Sequence, residues 1–188
     1  MDTPGHGGNV ITELTADHRE VERMFRDLEI FADPGERRGL ADRITIELVR
    51  HSVAEEQYLY PVVREHVAGG HALADKELAD HAGVEKLLKE LEGTPEDEPR
   101  FSELCRRLAS EVRTHVADEE ERLFPALAQY CDADLLDELG ENVRSAKRRA
   151  PTRPHPSAPD TPPANKLLAP GVGLVDRARD LVSGRGKS

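Results

Sequence analysis

Apolar residues return every three or four positions through most of the first 143 residues, the period of helices that bury one face. Ile11, Leu14, His18, Val21, Phe25 and Leu28 form one such stripe and predict a helix over 10–31. Asp33, Pro34 and Glu36 then combine a capping side chain, a proline at the first helical position and an early carboxylate. The second helix should run from there to about Val67, bent at Pro61, which lacks the N–H of a helix interior. A third stripe, Ala74, Leu78, His81, Val84, Leu88 and Leu91, spans 71–92, with Gly93 in the terminating cap position. After the polar loop GTPEDEP, Leu104, Leu108, Val112, His115, Glu119 and Leu123 predict a fourth helix from Pro99 to Gln129, bent at Pro125.

Four amphipathic helices joined by short loops predict an all-α protein, an antiparallel up-down four-helix bundle over 10–130. Residues 1–9 are Gly-rich and read as flexible. Within 131–150, Leu135, Leu136, Leu139 and Val143 predict an additional short helix lying across the bundle. Residues 151–188 form a Pro-rich basic tail, read as largely extended with a turn or two of helix at most.

Composition agrees with packed helices: aromatics are 4% of the 188 residues and Trp is absent. The net charge of -11 is unevenly spread, because the chain to Val143 carries 16 basic and 34 acidic residues, whereas 144–188 carry 10 basic and 3 acidic. An acidic body excludes nucleic-acid binding by the bundle and leaves only the tail for anionic surfaces. Cys105 and Cys131 are too few for a disulfide framework and lack zinc-site spacing. Without a signal-peptide core or an apolar run of membrane length, the expectation is a cytoplasmic protein with no membrane span.

An internal duplication carries the chemistry. DHREVERMFRDLE (17–29) matches DHAGVEKLLKELE (80–92) at six of thirteen positions, and HSVAEEQYLYP (51–61) matches HVADEEERLFP (115–125) at five of eleven. Each half therefore brings one helix with an inward His and one with His-xxx-Glu. Residues four apart stack on one helix face, so His51 points with Glu55 and His115 with Glu119, along stripes that face the core. Burying two carboxylates without cations is unfavourable by several kcal/mol for each. No Lys or Arg lies between His and Glu on these stripes, so a metal is the economical source of positive charge. Imidazole and carboxylate suit iron, manganese or zinc. Glu56, Glu120 and Glu121 read as solvated, and His6, His66, His71 and His155 lie off the stripes.

In His18, His51 with Glu55, His81, and His115 with Glu119, with their LYP and LFP turns, the sequence resembles the hemerythrin-like (HHE cation-binding) family over roughly residues 10 to 130. The resemblance implies two Fe ions in a non-haem di-iron centre, oxo- or hydroxo-bridged. His18 and His51 would serve one iron, His81 and His115 the other, and Glu55 and Glu119 would bridge. Oxygen carriers of the family have a further His where this chain has Glu77, which leaves more positions open. Glu77 fits a supporting or surface role, with direct ligation the alternative. Tyr60, whose repeat mate is Phe124, is either a further oxygen ligand or a core aromatic with a bonded hydroxyl. The implied function is reaction with peroxide or O2, a catalase-like oxidoreductase in oxidative stress. The alternative is a non-catalytic carrier or sensor of O2 or NO, or an iron-binding protein.

Overall fold

The structure, a computed structural model, describes residues 7–158, 160–162, 164–183 and 185. Most of the expected flexible N-terminus, with His6, therefore lies outside the described residues. The fold is an all-α, antiparallel bundle. Its long helices are α1 (Val10–Ile30), α2 (Pro34–Ala54), α4 (Gly70–Gly93) and α5 (Pro99–Asp118). Short helices α3 (Tyr60–His66) and α6 (Phe124–Tyr130) continue α2 and α5. The side chains of Asn9 and Asp33 accept the N–H of Thr12 and Glu36, which closes the starts of α1 and α2.

The joints differ from the expected proline bends. A single π-helical stretch, Glu55–Leu59, separates α2 from α3, and its repeat mate, Glu119–Leu123, separates α5 from α6. In each, the next N–H reaches back five residues, Tyr60 to the carbonyl of Glu55 and Phe124 to that of Glu119. Pro61 and Pro125 fall in the first turn of the helix that follows, where a missing N–H leaves no bond unmade. Gly93 likewise ends α4 as a helical residue, with Thr94 taking the cap.

Helix α7 (Ala133–Arg149) packs on both α1 and α2 and buries Leu136, Leu139 and Val143. It crosses close to the start of α1 at Gly140, where a Cβ would press on the backbone of Gly8 and Asn9. The tail is not extended throughout, as the sequence led us to expect: Ala164–Ser183 is a helix, α8. Gly173 lets α8 sit against the end of α7, since a Cβ there would collide with the carbonyls of Arg149 and Ala150. Thr152 and Arg153 bond to Asp180 at 2.6 and 2.7 Å, and Arg153 also reaches Glu92 of α4 at 2.7 Å. Polar partners absent from a hydrophobic pattern thus hold the tail to the bundle. Among the described residues no helix is long and apolar enough to cross a membrane.

Candidate metal centre

Each long helix carries polar residues flanked by apolar layers. On α1, Val10 and Leu14 precede Asp17 and His18, which precede Val21 and Phe25; α4 runs Ala74, then Glu77 and His81, then Val84 and Leu88. On α2 and α5 the order is reversed, with Ile44 and Leu48 before His51 and Glu55, and Leu108 and Val112 before His115 and Glu119. Antiparallel packing therefore stacks one polar layer between two apolar cores. The four His side chains and both Glu are buried, and Glu55 and Glu119 have no exposed surface.

The Nε2 atoms turn inward. His51 Nε2 is 3.1 Å and His81 Nε2 3.3 Å from Glu55 Oε2, while His18 Nε2 is 3.3 Å and His115 Nε2 3.6 Å from Glu119 Oε2. Three donor groups result, His18, His51, Glu55 and Glu119 in one, Glu55, His81 and His115 in another, and Glu77, His115 and Glu119 in the third, each with ligand atoms within 4.8 Å of one another. Glu55, Glu119 and His115 each belong to two of them. Each outward Nδ1 faces its own carboxylate: His18 meets Glu120 at 2.8 Å, His51 meets Asp17 at 3.2 Å, His81 meets Glu56 at 3.0 Å and His115 meets Glu77 at 2.8 Å. A carboxylate behind an imidazole fixes the ring and leaves Nε2 free to ligate.

Glu56 and Glu120 are therefore not the solvated residues that their charged neighbours imply; each reaches across the bundle to a His of another helix. Glu121 is exposed, as expected. The signal for Glu56 and Glu120 was available in the duplicated Glu-Glu pair, because both halves keep a second carboxylate after the first. The π turns carried no comparable pattern. They bring Tyr60, five residues beyond Glu55, into the layer: its Oη lies 3.0 Å from His81 Nε2, 3.3 Å from Glu55 and 3.2 Å from Glu119. Phe124 instead stacks on His18, with ring centroids 5.7 Å apart.

Three of the four supporting carboxylates are themselves paired with cations. Arg19 holds Glu120 at 2.6 Å and Lys147 of α7 holds Asp17 at 2.5 Å. Lys76 lies 3.6 Å from Glu77 and 2.7 Å from Asp80. Without metal, protons occupy the interior. Burial opposes the charged form of His51, but Glu55 and Asp17 prevail and push its pKa up to about 9. His115 is pushed up to about 9 against burial by Glu119, Asp80 and Glu77. Burial, then the charges of Glu55, Glu119, Glu77 and Glu56, raises Tyr60 well above the usual phenol range, so its hydroxyl keeps its proton.

The donor set fits a cation. His18 Nε2, His51 Nε2, Glu55 Oε1 and Glu119 Oε2 are buried without a hydrogen bond, which a protein tolerates only where something else satisfies them. Beside the four His lies a void of about 20 Å³, walled by Val21, Leu48, Val84 and Val112. It is large enough for a water-sized molecule.

The Hemerythrin HHE cation binding domain model matches residues 9–127. The chain belongs to this family. An HHE relative, the hemerythrin-like protein of Schizosaccharomyces pombe, is 24% identical over 167 residues, which are 88% of this chain and 82% of that protein. A DNA nickase of Nostoc sp. is 28% identical over 146 residues; these are 77% of this chain, and the chain spans 41% of that protein's length. The crystal structure of an HHE cation binding domain-containing protein from Mycobacterium kansasii superposes with a TM-score of 0.65 at 25% identity, covering 74% of this chain and 85% of that one. Membership in the HHE family and the buried His/Glu cluster together identify a metal-binding protein.

Proposed function

We propose that this HHE protein holds two iron ions and turns them on hydrogen peroxide or O2. His18 and His51 would serve one ion and His81 and His115 the other, with Glu55 and Glu119 shared between them. The observation that supports this reading best is the inward convergence of four Nε2 atoms on two buried carboxylates, each ring steadied from behind. When bound, the ions would supply two-electron redox chemistry, as needed to convert two H2O2 into two H2O and O2.

The chain's residues set what that chemistry can reach. The apolar walls of Val21, Leu48, Val84 and Val112 bound a void of about 20 Å³, which would limit access to ligands near the size of water. Tyr60 holds a proton at Oη, facing both carboxylates and His81, and would donate it to a small oxygen ligand or, having lost it, act as a further oxygen donor beside Glu55 and Glu119. Glu77, buried against His115, orients that ring where an oxygen carrier of the family has another His. Asp17, Glu56 and Glu120 do the same for the other three.

Metal analysis and an optical spectrum of the purified protein, followed by oxygen evolution on addition of peroxide, test the reading. Two irons per chain and many turnovers are expected. Fewer than a handful of turnovers from iron-loaded protein would favour a carrier, sensor or iron-binding role, and a folded protein that takes up no metal would overturn both. A tyrosinate-to-iron band lost in Tyr60→Phe would assign that residue to the metal; a band never present would leave it as the proton donor.

A further inference from the structure

The fourth supporting carboxylate breaks the pattern of the other three. Glu56 behind His81 has no Arg or Lys partner among the described residues, and its carboxylate bonds to His81 Nδ1 at 3.0 Å. It opens instead onto a cavity of about 100 Å³ between the bundle and the tail. Val53, Leu78 and Leu88 wall the cavity on the bundle side, and Pro156, Leu168 and Val172 on the tail side. Glu56, His81, Glu85 and Asp160 also line it. The basic side chains at its edge are engaged elsewhere: Arg153 with Glu92 and Asp180, and His155 Nε2 with Asp176. Glu85 accepts the backbone N–H of His155 and has no Arg or Lys partner among the described residues. The tail thus encloses a largely apolar space with acidic side chains in its lining, beside a His support without a cation among the described residues.

We propose that this cavity binds a small organic cation with an apolar body, of the class of a short alkylammonium ion. The alkyl part would lie among the valine, leucine and proline side chains, and the ammonium group would take beside Glu56 the place that Arg19, Lys147 and Lys76 take beside the other supports. A cavity of about 150 Å³ holds a benzene ring, so this one suits four or five heavy atoms. The site reaches the metal layer through Glu56 and His81, so an occupant would set the charge behind one ring of the cluster.

Titration calorimetry of the full chain, both as purified and after metal removal, tests this with n-butylammonium chloride, n-butanol and sodium butyrate at matched ionic strength. One saturable site for butylammonium is expected, with butanol weaker by about tenfold or more, the worth of one charged hydrogen bond. Butyrate should not bind. The double substitution Glu85→Gln with Asp160→Asn should narrow the preference for the cation, and Ala82→Phe, an exposed position on the cavity wall, should block binding in a protein that keeps its helical signal. Equal binding of butanol and butylammonium, binding unaffected by Ala82→Phe, or no binding of butylammonium would each overturn the proposal. Heat of binding is read in both metal states, so failure of the iron reading would leave this result standing.

Discussion

Raising the pH of the metal-free protein from 6.5 to about 9 should weaken it sharply. His51 and His115 are both pushed from 6.5 to about 9 in the folded chain, because buried carboxylates outweigh the burial of each ring. At about 1.4 kcal/mol for each tenfold change in proton affinity, that step is worth about 3 kcal/mol for either residue. The two share one layer of carboxylates, so together they contribute about 3 to 6 kcal/mol, a large part of an ordinary domain's stability of about 5–15 kcal/mol. The sign follows from proton counts. Below pH 6.5 both states hold these protons and the contribution is complete; between 6.5 and about 9 only the folded state does, so stability falls with rising pH. Glu55 works in the opposite direction: against burial, His51 and His81 hold its carboxyl well below 4.5, so its contribution is present above 4.5 and is lost on further acidification. Urea midpoints of the metal-free chain, followed by the helical signal, should therefore drop between about pH 6 and about pH 9. Metal binding near neutral pH should release protons, measured by calorimetry in buffers of different ionisation enthalpy. A midpoint that holds steady or rises across that window, or binding without proton release, would refute the reasoning.

Other substitutions probe the layers around the site. Lys147→Met should destabilise by about 2 kcal/mol, because it removes the ammonium that the buried Asp17 and Glu13 share, with His51 still beside Asp17 and Arg144 beside Glu13, whereas Lys76→Met, at a side chain 39% exposed, should lose under about 1 kcal/mol; thermal midpoints of the two variants check the contrast. Gly140→Ala should destabilise by about 1–3 kcal/mol through contact with the start of α1, read as a lower urea midpoint. Phe101→Ala, in the apolar core away from the metal layer, should weaken folding by about 3–5 kcal/mol while the refolded protein keeps its metal stoichiometry.

The helices and the six inward His and Glu were legible in the sequence because burial imposes a period on the chain, and the duplication reports it twice. Asp17 and Glu77 were harder to place, since a side chain that supports a ring on another helix leaves no periodic trace. Lys147 shows the same limit more strongly: it sits in the run KRR, yet α7 carries it 130 residues back along the chain to Asp17. Helix α8 escaped because Pro170, Gly171 and Gly173 read as breakers, while the contacts that hold it are buried polar bonds from Thr152 and Arg153 to Asp176 and Asp180. The π turns escaped because one extra residue per turn alters no composition.

Those two turns act as a phase shift between the upper and lower halves of the bundle. An α-helix advances about 100° per residue, so rewinding Glu55–Leu59 as ordinary α-helix without shortening it would rotate everything after it by about that angle. His51 and Glu55 would stay in place while Tyr60 and Val63 swung out of the interior. The extra residue in each turn therefore sets the facing of the lower core relative to the His and Glu layer above it, and a one-residue deletion inside the turn should be tolerated better than one elsewhere in the same helix.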